Sequence, residues 1–453
     1  MRWRAPGRRY QVLAIRDFRL LLADRLLAPF SVGFSLVGVS FAVLKVTGST
    51  ADLSYVLAAQ AAPMLVFSLL GGVFADRLRP QLVIIAANVA VVTGEGVFGL
   101  LMLTMGHPPL WAMVSLEAVT GIGGALFYPA SQALLPQLVP EPLLQEGSSI
   151  SRLAMNVGQM TGAAAGGLVV AVAGPGLALT LCAIGMTGTV PLMLAVKGGR
   201  GAARRPADGA PGLLTELREG WAEFRQHTWL WATVIQFCLV MMAFNGAVLV
   251  LGPVVARAHL GGPAAWGAIS ASDALGLIAG GLVSLRYIPR RPMLFVVLTG
   301  GSIAISPLAL ALVLPLPVIC LSAFTVGLLC EVMMVQWTVQ MATRIPSDKL
   351  ARVSSYDAMG SLAAMPLGAL AAGPLAAGIG VSATQFAAAA VIVVSSALTL
   401  IPRDIRTIRG GNAARGGNAA RGDVADGLVL DDALAPAAAG AATASARAGA
   451  DLG

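Results

Sequence analysis

Apolar residues run along this chain in twelve stretches of membrane-spanning length. They fall at roughly 20–46, 51–75, 81–104, 109–134, 149–173 and 175–196, then at 229–256, 263–285, 292–314, 316–341, 353–377 and 380–401. None alternates in the way of a strand that is wet on one face. Lipid offers no water to peptide N–H and C=O groups, so runs of about 20 apolar residues close their hydrogen bonds internally as helices. The pattern predicts an all-α membrane protein with twelve transmembrane helices. Composition agrees: 57% of the 453 residues are hydrophobic and 11% charged, where soluble domains carry about 25% charged residues. A water-soluble enzyme, a nucleic-acid-binding domain and a coiled coil are excluded.

The net charge of +8 would suit nucleic acid only if it formed a patch on one globular face. Instead, 27 of the 30 Lys and Arg residues lie in the N-terminal arm, the tail and alternate connections between spans. One of these, Arg152, stands at the start of the fifth run and is counted with the connection before it. The opposite side carries only Lys45 and Arg257, and Arg25 lies inside the first span. By the positive-inside rule, both termini and the central connection face the cytoplasm. The expected divisions are a basic arm (1–19), a first six-helix bundle (20–196), a linker (197–228), a second six-helix bundle (229–402) and a disordered tail (403–453).

Within the linker, Leu213, Leu214, Leu217, Trp221 and Phe224 recur at helical spacing beside Arg218 and Arg225, which predicts an amphipathic helix on the inner membrane face. The tail repeats Arg-Gly-Gly-Asn-Ala-Ala at 409–414 and 415–420 and then becomes rich in Ala and Gly. Such a composition buries too little apolar surface to offset the entropy of ordering. Cys182, Cys238, Cys320 and Cys330 all sit in apolar runs without metal-ligand spacing, so free thiols and no metal are expected.

The two six-helix halves repeat. Gly121, Pro140, Leu144, Ser148, Ser149, Gly162 and Gly167 meet the same residue types 206 positions later, at Gly327, Pro346, Leu350, Ser354, Ser355, Gly368 and Gly373. Gly71, Gly72 and Arg77 meet Gly280, Gly281 and Arg286 at an offset of 209. A duplicated, pseudo-symmetric plan places a binding cavity near the membrane midplane between the halves.

On these residues the chain resembles the major facilitator superfamily. Gly71-Gly72-Val73-Phe74-Ala75-Asp76-Arg77-Leu78-Arg79-Pro80 is similar to the signature between that family's helices 2 and 3, with Pro80 and Gln81 where a second Gly and basic residues are usual. The resemblance implies a cytoplasmic gate formed by Gly72, Asp76 and Arg77. In helix 5, Gly158, Gly162, Gly166 and Gly167 resemble the family's antiporter signature, with Ala163 in place of its Pro; this implies export rather than import. A third signature places Arg four residues before a helix-4 Gly, but here Glu117 precedes Gly121. Arg16-Asp17-Phe18-Arg19 and Tyr128-Pro129-Ala130 add a likeness to the enterobactin-exporter and macrolide-efflux branch.

Ionisable groups within spans are costly and mark functional candidates. Asp24, Arg25, Glu95, Glu117, Asp273 and Glu331 form that set. Burial favours a carboxyl's neutral form, so proton and cationic substrate can compete for one carboxylate. Glu117 or Glu95 is the expected coupling acid, with Asp273 and Glu331 binding a cationic or amphiphilic substrate; hydrogen-bonded structural roles are the alternative for each. Arg25 either snorkels to the inner surface or pairs with a carboxylate. Asn245, Gln159, Gln236 and Gln336 are mid-span amides that want partners. Phe127, Tyr128, Met155, Met241, Met333, Met334 and Trp337 either line a cavity for a greasy substrate or pack against lipid.

No phosphate-cradling Gly-x-x-x-x-Gly-Lys-Ser/Thr loop occurs, so a proton gradient rather than a cofactor or ATP is the expected energy source. The expectation is a secondary active exporter of a small amphiphilic molecule, acting as a monomer, with lipid but no nucleic acid as a partner. A metabolite importer or facilitator of the same fold is the alternative; a membrane scaffold or membrane enzyme is the distant one. With 27 Arg to 3 Lys and abundant Ala and Gly, the composition suggests a high-GC bacterium and hence a bacterial cytoplasmic membrane.

Overall fold

The computed structural model describes residues 11–77, 79–140, 143–197, 221–222, 224–284, 286–287, 289–345, 353–354, 356–357, 360–361 and 364–408. Within these, the side chains of 64–77, 128–129, 132–133 and 145 are left aside. The arm to residue 10, the linker at 198–220 and the tail from 409 lie outside the described residues, as do Leu213, Leu214, Leu217 and Arg218 of the expected amphipathic helix.

The described chain is helical. The long helices are α1 (Arg16–Thr47), α2 (Thr50–Arg77), α3 (Pro80–Thr104), α4 (Leu110–Leu138), α5 (Leu144–Ala173) and α6 (Pro175–Ala195). After the linker come α7 (Thr228–His259), α8 (Pro263–Ser284), α9 (Pro292–Ala311), α10 (Leu316–Arg344), α11 (Met365–Ile379) and α12 (Val381–Thr399), then the short α13 (Arg403–Thr407). Among the described residues, ten helices are long and apolar enough to cross a membrane; α2 and the shorter α11 hold the second and eleventh places. Hereafter the end of the bundle carrying the basic connections is the basic end, and the other is the far end.

The repeat seen in sequence is also a repeat of contacts. A Cβ at Gly162 would strike the Phe30 carbonyl of α1, and one at Gly368 would strike the Met242 carbonyl of α7. Gly121 meets Gln60 of α2 in the way Gly327 meets Asp273 of α8. By packing, α2 and α8 therefore align one helical turn away from the 209-residue offset of their glycine pairs. Small residues allow such backbone approach, which is how helices gain contact where lipid is as apolar as they are. The turns repeat as well: Gly174 (φ +88°) joins α5 to α6, and Gly380 (φ +90°), 206 residues on, joins α11 to α12. Only glycine adopts that backbone without strain.

The halves meet at the far end. Gly167 of α5 faces Gly267 of α8, where an added Cβ would come within 2.8 Å of the opposing Cα. Its repeat mate Gly373 of α11 lies against Thr50, Ala51 and Ser54 of α2. Arg257 of α7 donates to the Leu44 carbonyl of α1, so one of the two cations on this side ties the halves together.

Helix α7 departs from α-geometry. Residues Asn245–Val250 form a π-helical turn just before Pro253. Proline lacks an N–H and crowds the carbonyl four residues earlier, and a wider turn relieves that conflict. Gln385 of α12 donates to Ala247 O at 3.1 Å, satisfying an acceptor within the turn.

Candidate functional site

Four helices of the first half converge on two carboxyls. Glu95 of α3 and Glu117 of α4 are both fully buried, and their charges act on one another. Ser35 of α1 donates to Glu95 Oε1 at 2.5 Å, and Gln60 of α2 donates to Glu117 Oε2 at 2.9 Å. The second oxygens, Glu95 Oε2 and Glu117 Oε1, have no hydrogen-bond partner among the described residues, nor does the neighbouring Thr120 Oγ1. Gly94 sets the spacing, because a Cβ there would run into Thr120 Oγ1 and come within 2.7 Å of Leu116 O. Among the described residues, neither acid forms an ion pair.

Asp24 and Arg25 lie nearer the basic end of α1 and are also buried. Arg25 donates to Ser131 O of α4 at 2.7 Å and points its other nitrogen at Met155 Sδ of α5, 4.0 Å away. It therefore does not snorkel to the surface. Its charge also acts on Asp24, so the neighbours interact although they do not share a helix face. Asn88 of α3 sits beside Asp24 and donates to Thr189 Oγ1 of α6 at 2.7 Å.

Of the acids of the second half, Glu331 stands at the seam between the halves. Asp273 of α8 packs over Gly327 of α10 and is only partly buried. Glu331 of α10 pairs with Arg152 of α5 at 3.2 Å; the Arg152 side chain is 64% exposed and that of Glu331 11%. Arg152 was the residue assigned by the sequence to the connection between spans four and five, and the structure places it two turns inside α5. Its importance was missed because a single Arg near a span boundary looks like any other basic loop residue. Along the same face of α5, Asn156, Gln159 and Ala163 follow at helical spacing, up to the contact of Ala163 O with Gly267.

The glycines at 158, 162 and 166 pack against α1, where added Cβ atoms would meet Leu26 O, Phe30 O and the backbone of Gly33 and Phe34. Gly167 alone of that set turns to the second half. Gly72, Asp76 and Arg77 lie in the last turns of α2, and their side chains fall outside the described residues. So do those of Tyr128 and Pro129.

Several amides and aromatics prove to be internal braces. Gln236 donates to Val297 O and Ser396 Oγ, joining α7, α9 and α12. Asn245 and Gln336 are buried, whereas Gln159 is exposed. Trp337 is in the core against Trp229 and Phe237, and donates to Asp357 Oδ2 at 2.9 Å; Met333 is equally enclosed. Asp357 lies five positions into the eleventh apolar run and was passed over because it stands at the edge of that run.

The family model "Major Facilitator Superfamily" matches residues 26–356. The chain is 28% identical to the multidrug efflux pump Tap of Mycolicibacterium fortuitum over 386 residues, covering 81% of this chain and 91% of that protein. It is 27% identical to the enterobactin exporter EntS of Citrobacter koseri over 402 residues, covering 86% and 93%. Among solved structures it resembles a variant of the nucleoside transporter NupG, with a TM-score of 0.68, 14% identity and coverage of 85% and 99%. It also resembles a POT family transporter in complex with 5-aminolevulinic acid, with a TM-score of 0.67, 14% identity and coverage of 85% and 96%.

Proposed function

The chain belongs to the major facilitator superfamily and is a multi-pass membrane transporter, and we propose that it is a proton-coupled exporter of a small amphiphilic molecule, working by alternating access in a bacterial cytoplasmic membrane. The observation that carries the coupling is the Glu95–Glu117 pair, with its two free oxygens buried in the first half. Two acids this close and away from water cannot both carry charge without a large cost. The pair is suited to hold one exchangeable proton and to release it when water or a cationic group gains access.

The direction of transport is supported by the efflux and exporter names of the relatives at 28% and 27% identity and by the helix-5 glycines. Substrate enters between the halves from the basic end, since the far end is sealed by the Gly167–Gly267 and Gly373–Ala51 approaches. There Asp273, Glu331, Arg152 and Gln159 offer charged and polar contacts along an otherwise apolar wall. Asp24 and Arg25 support the basic half of the first bundle, with Arg25 tying α1 to α4. The cytoplasmic gate is assigned to Gly72, Asp76 and Arg77 on the resemblance of their motif.

The test is uptake of ethidium, as the cationic probe, into inverted vesicles driven by an imposed pH gradient with the lumen acidic. Glu95→Gln and Glu117→Gln are each expected to abolish gradient-driven movement while retaining equilibrium binding of the probe. Asp273→Asn and Glu331→Gln are expected to weaken binding of cations more than of neutral probes. Full gradient-driven transport in both first-half amides would remove the pair from the mechanism.

A further inference from the structure

Three arginines from two distant parts of the chain converge at the basic end of the second half. Arg291 precedes α9, and Arg403 and Arg406 belong to α13, more than a hundred residues later. Together with Thr407 they line a cavity of about 430 Å³. Its formation depends on α13 being pinned: Ile405 is fully buried in a cluster with Phe224, Trp229, Met293 and Met341. That anchor holds the two arginines on either side of it toward Arg291.

None of the three guanidinium groups forms an ion pair with a carboxylate among the described residues, although Asp404 lies between two of them in sequence. Arg406 donates to Ile401 O at 3.2 Å, which fixes one nitrogen and leaves the remaining donors of the fork. Like charges drawn around one cavity repel unless an anion joins them. The planar fork of Arg matches phosphate oxygens two at a time.

Where the cavity sits narrows the choice of anion. It opens where α9 begins and α12 ends, which is the level of the headgroups for helices that span a bilayer. Below it, exposed apolar side chains continue into the membrane zone: Leu298 lies two turns along α9 on the face of Arg291, and Leu398 lies in the last turn of α12. An anionic pocket-filler with an apolar track beneath it is an acidic phospholipid. Basic pockets between helices on the cytoplasmic side are suited to such headgroups.

We propose that Arg291, Arg403 and Arg406 form a binding site for the phosphate of an anionic lipid, which clamps α13 to the start of α9. The site stands apart from the transport pathway and does not depend on the direction of transport or on the coupling acids.

The experiment uses the purified full-length protein in neutral detergent, titrated with phosphatidylglycerol, phosphatidylcholine or sodium phosphate. Native mass spectrometry reads retained lipid, and thermal unfolding reads stabilisation. Phosphatidylglycerol is expected to be retained and to stabilise, and phosphatidylcholine is not. The triple variant Arg291→Gln, Arg403→Gln, Arg406→Gln is expected to weaken phosphatidylglycerol binding by about a hundredfold, on the order of fivefold per arginine. The matching triple Lys variant keeps the charge and controls for folding; it is expected to stay within about fivefold of the parent. Equal lipid retention by the Gln triple would overturn the site. Equal stabilisation by sodium phosphate alone would overturn the lipid assignment, by showing that the cavity takes a free anion.

Discussion

In the first half, Gln60 of α2 donates to Glu117 of α4. In the second, the residue of α8 that packs on α10 in the same manner is Asp273, and 206 positions after Glu117 stands Ala323. The same pair of places thus holds an amide with a buried acid in one half, and an acid without such a partner in the other. The first half encloses Asp24, Glu95 and Glu117, while the second braces its interior with neutral amides, Gln236 and Gln385, and pairs Glu331 with Arg152 across the seam. Duplication preserved the backbone contacts while the chemistry diverged. Packing answers to glycine positions, which both halves must keep in order to close; charge answers to the task of each half.

That contrast can be tested at both levels. The largest effect is expected where the halves are alike: Gly162→Ala and Gly368→Ala each drive a methyl into a helix backbone and are expected to destabilise by about 2–3 kcal/mol, measured by unfolding in detergent. A cost in only one half would break the equivalence. Next, Gln385→Leu leaves Ala247 O without its side-chain donor, and Gln236→Leu removes a three-helix brace. Each is expected to cost about 1–2 kcal/mol without altering the response of transport to pH, unlike the first-half acids. The smallest effect belongs to the seam: Arg152→Gln removes a half-exposed ion pair and is expected to change stability by less than about 1 kcal/mol. It should nonetheless shift the selectivity between cationic and neutral probes in a binding titration.

Much of this architecture is legible in the residues. Apolar runs fix the helices because lipid leaves the backbone no other option, and the 206-residue repeat locates the glycines that later prove to be contacts. The burial of Glu95 and Glu117 is legible too, since an acid in a long apolar run has no water nearby. Their proximity is not, because it depends on α3 and α4 approaching at Gly94, and no local pattern announces which helices touch. The partnership of Arg152 with Glu331 spans 179 residues and was hidden for the same reason. Trp337 and Met333 fit cavity lining or lipid packing equally by composition and turn out to be core, since apolar side chains carry no mark of which apolar surroundings they will meet. The π-helical turn before Pro253 likewise needed coordinates, for a proline within a span is also compatible with a kink.

The turns at Gly174 and Gly380 have a consequence for how the chain enters its membrane. Each joins two apolar helices with no charged residue for several positions on either side, so neither offers a polar loop to be translocated. α5 with α6, and α11 with α12, are therefore built to insert as hairpins. Their orientation during synthesis is dictated from the basic end alone, and epitope or protease probes at these two tips should find almost nothing protruding to recognise.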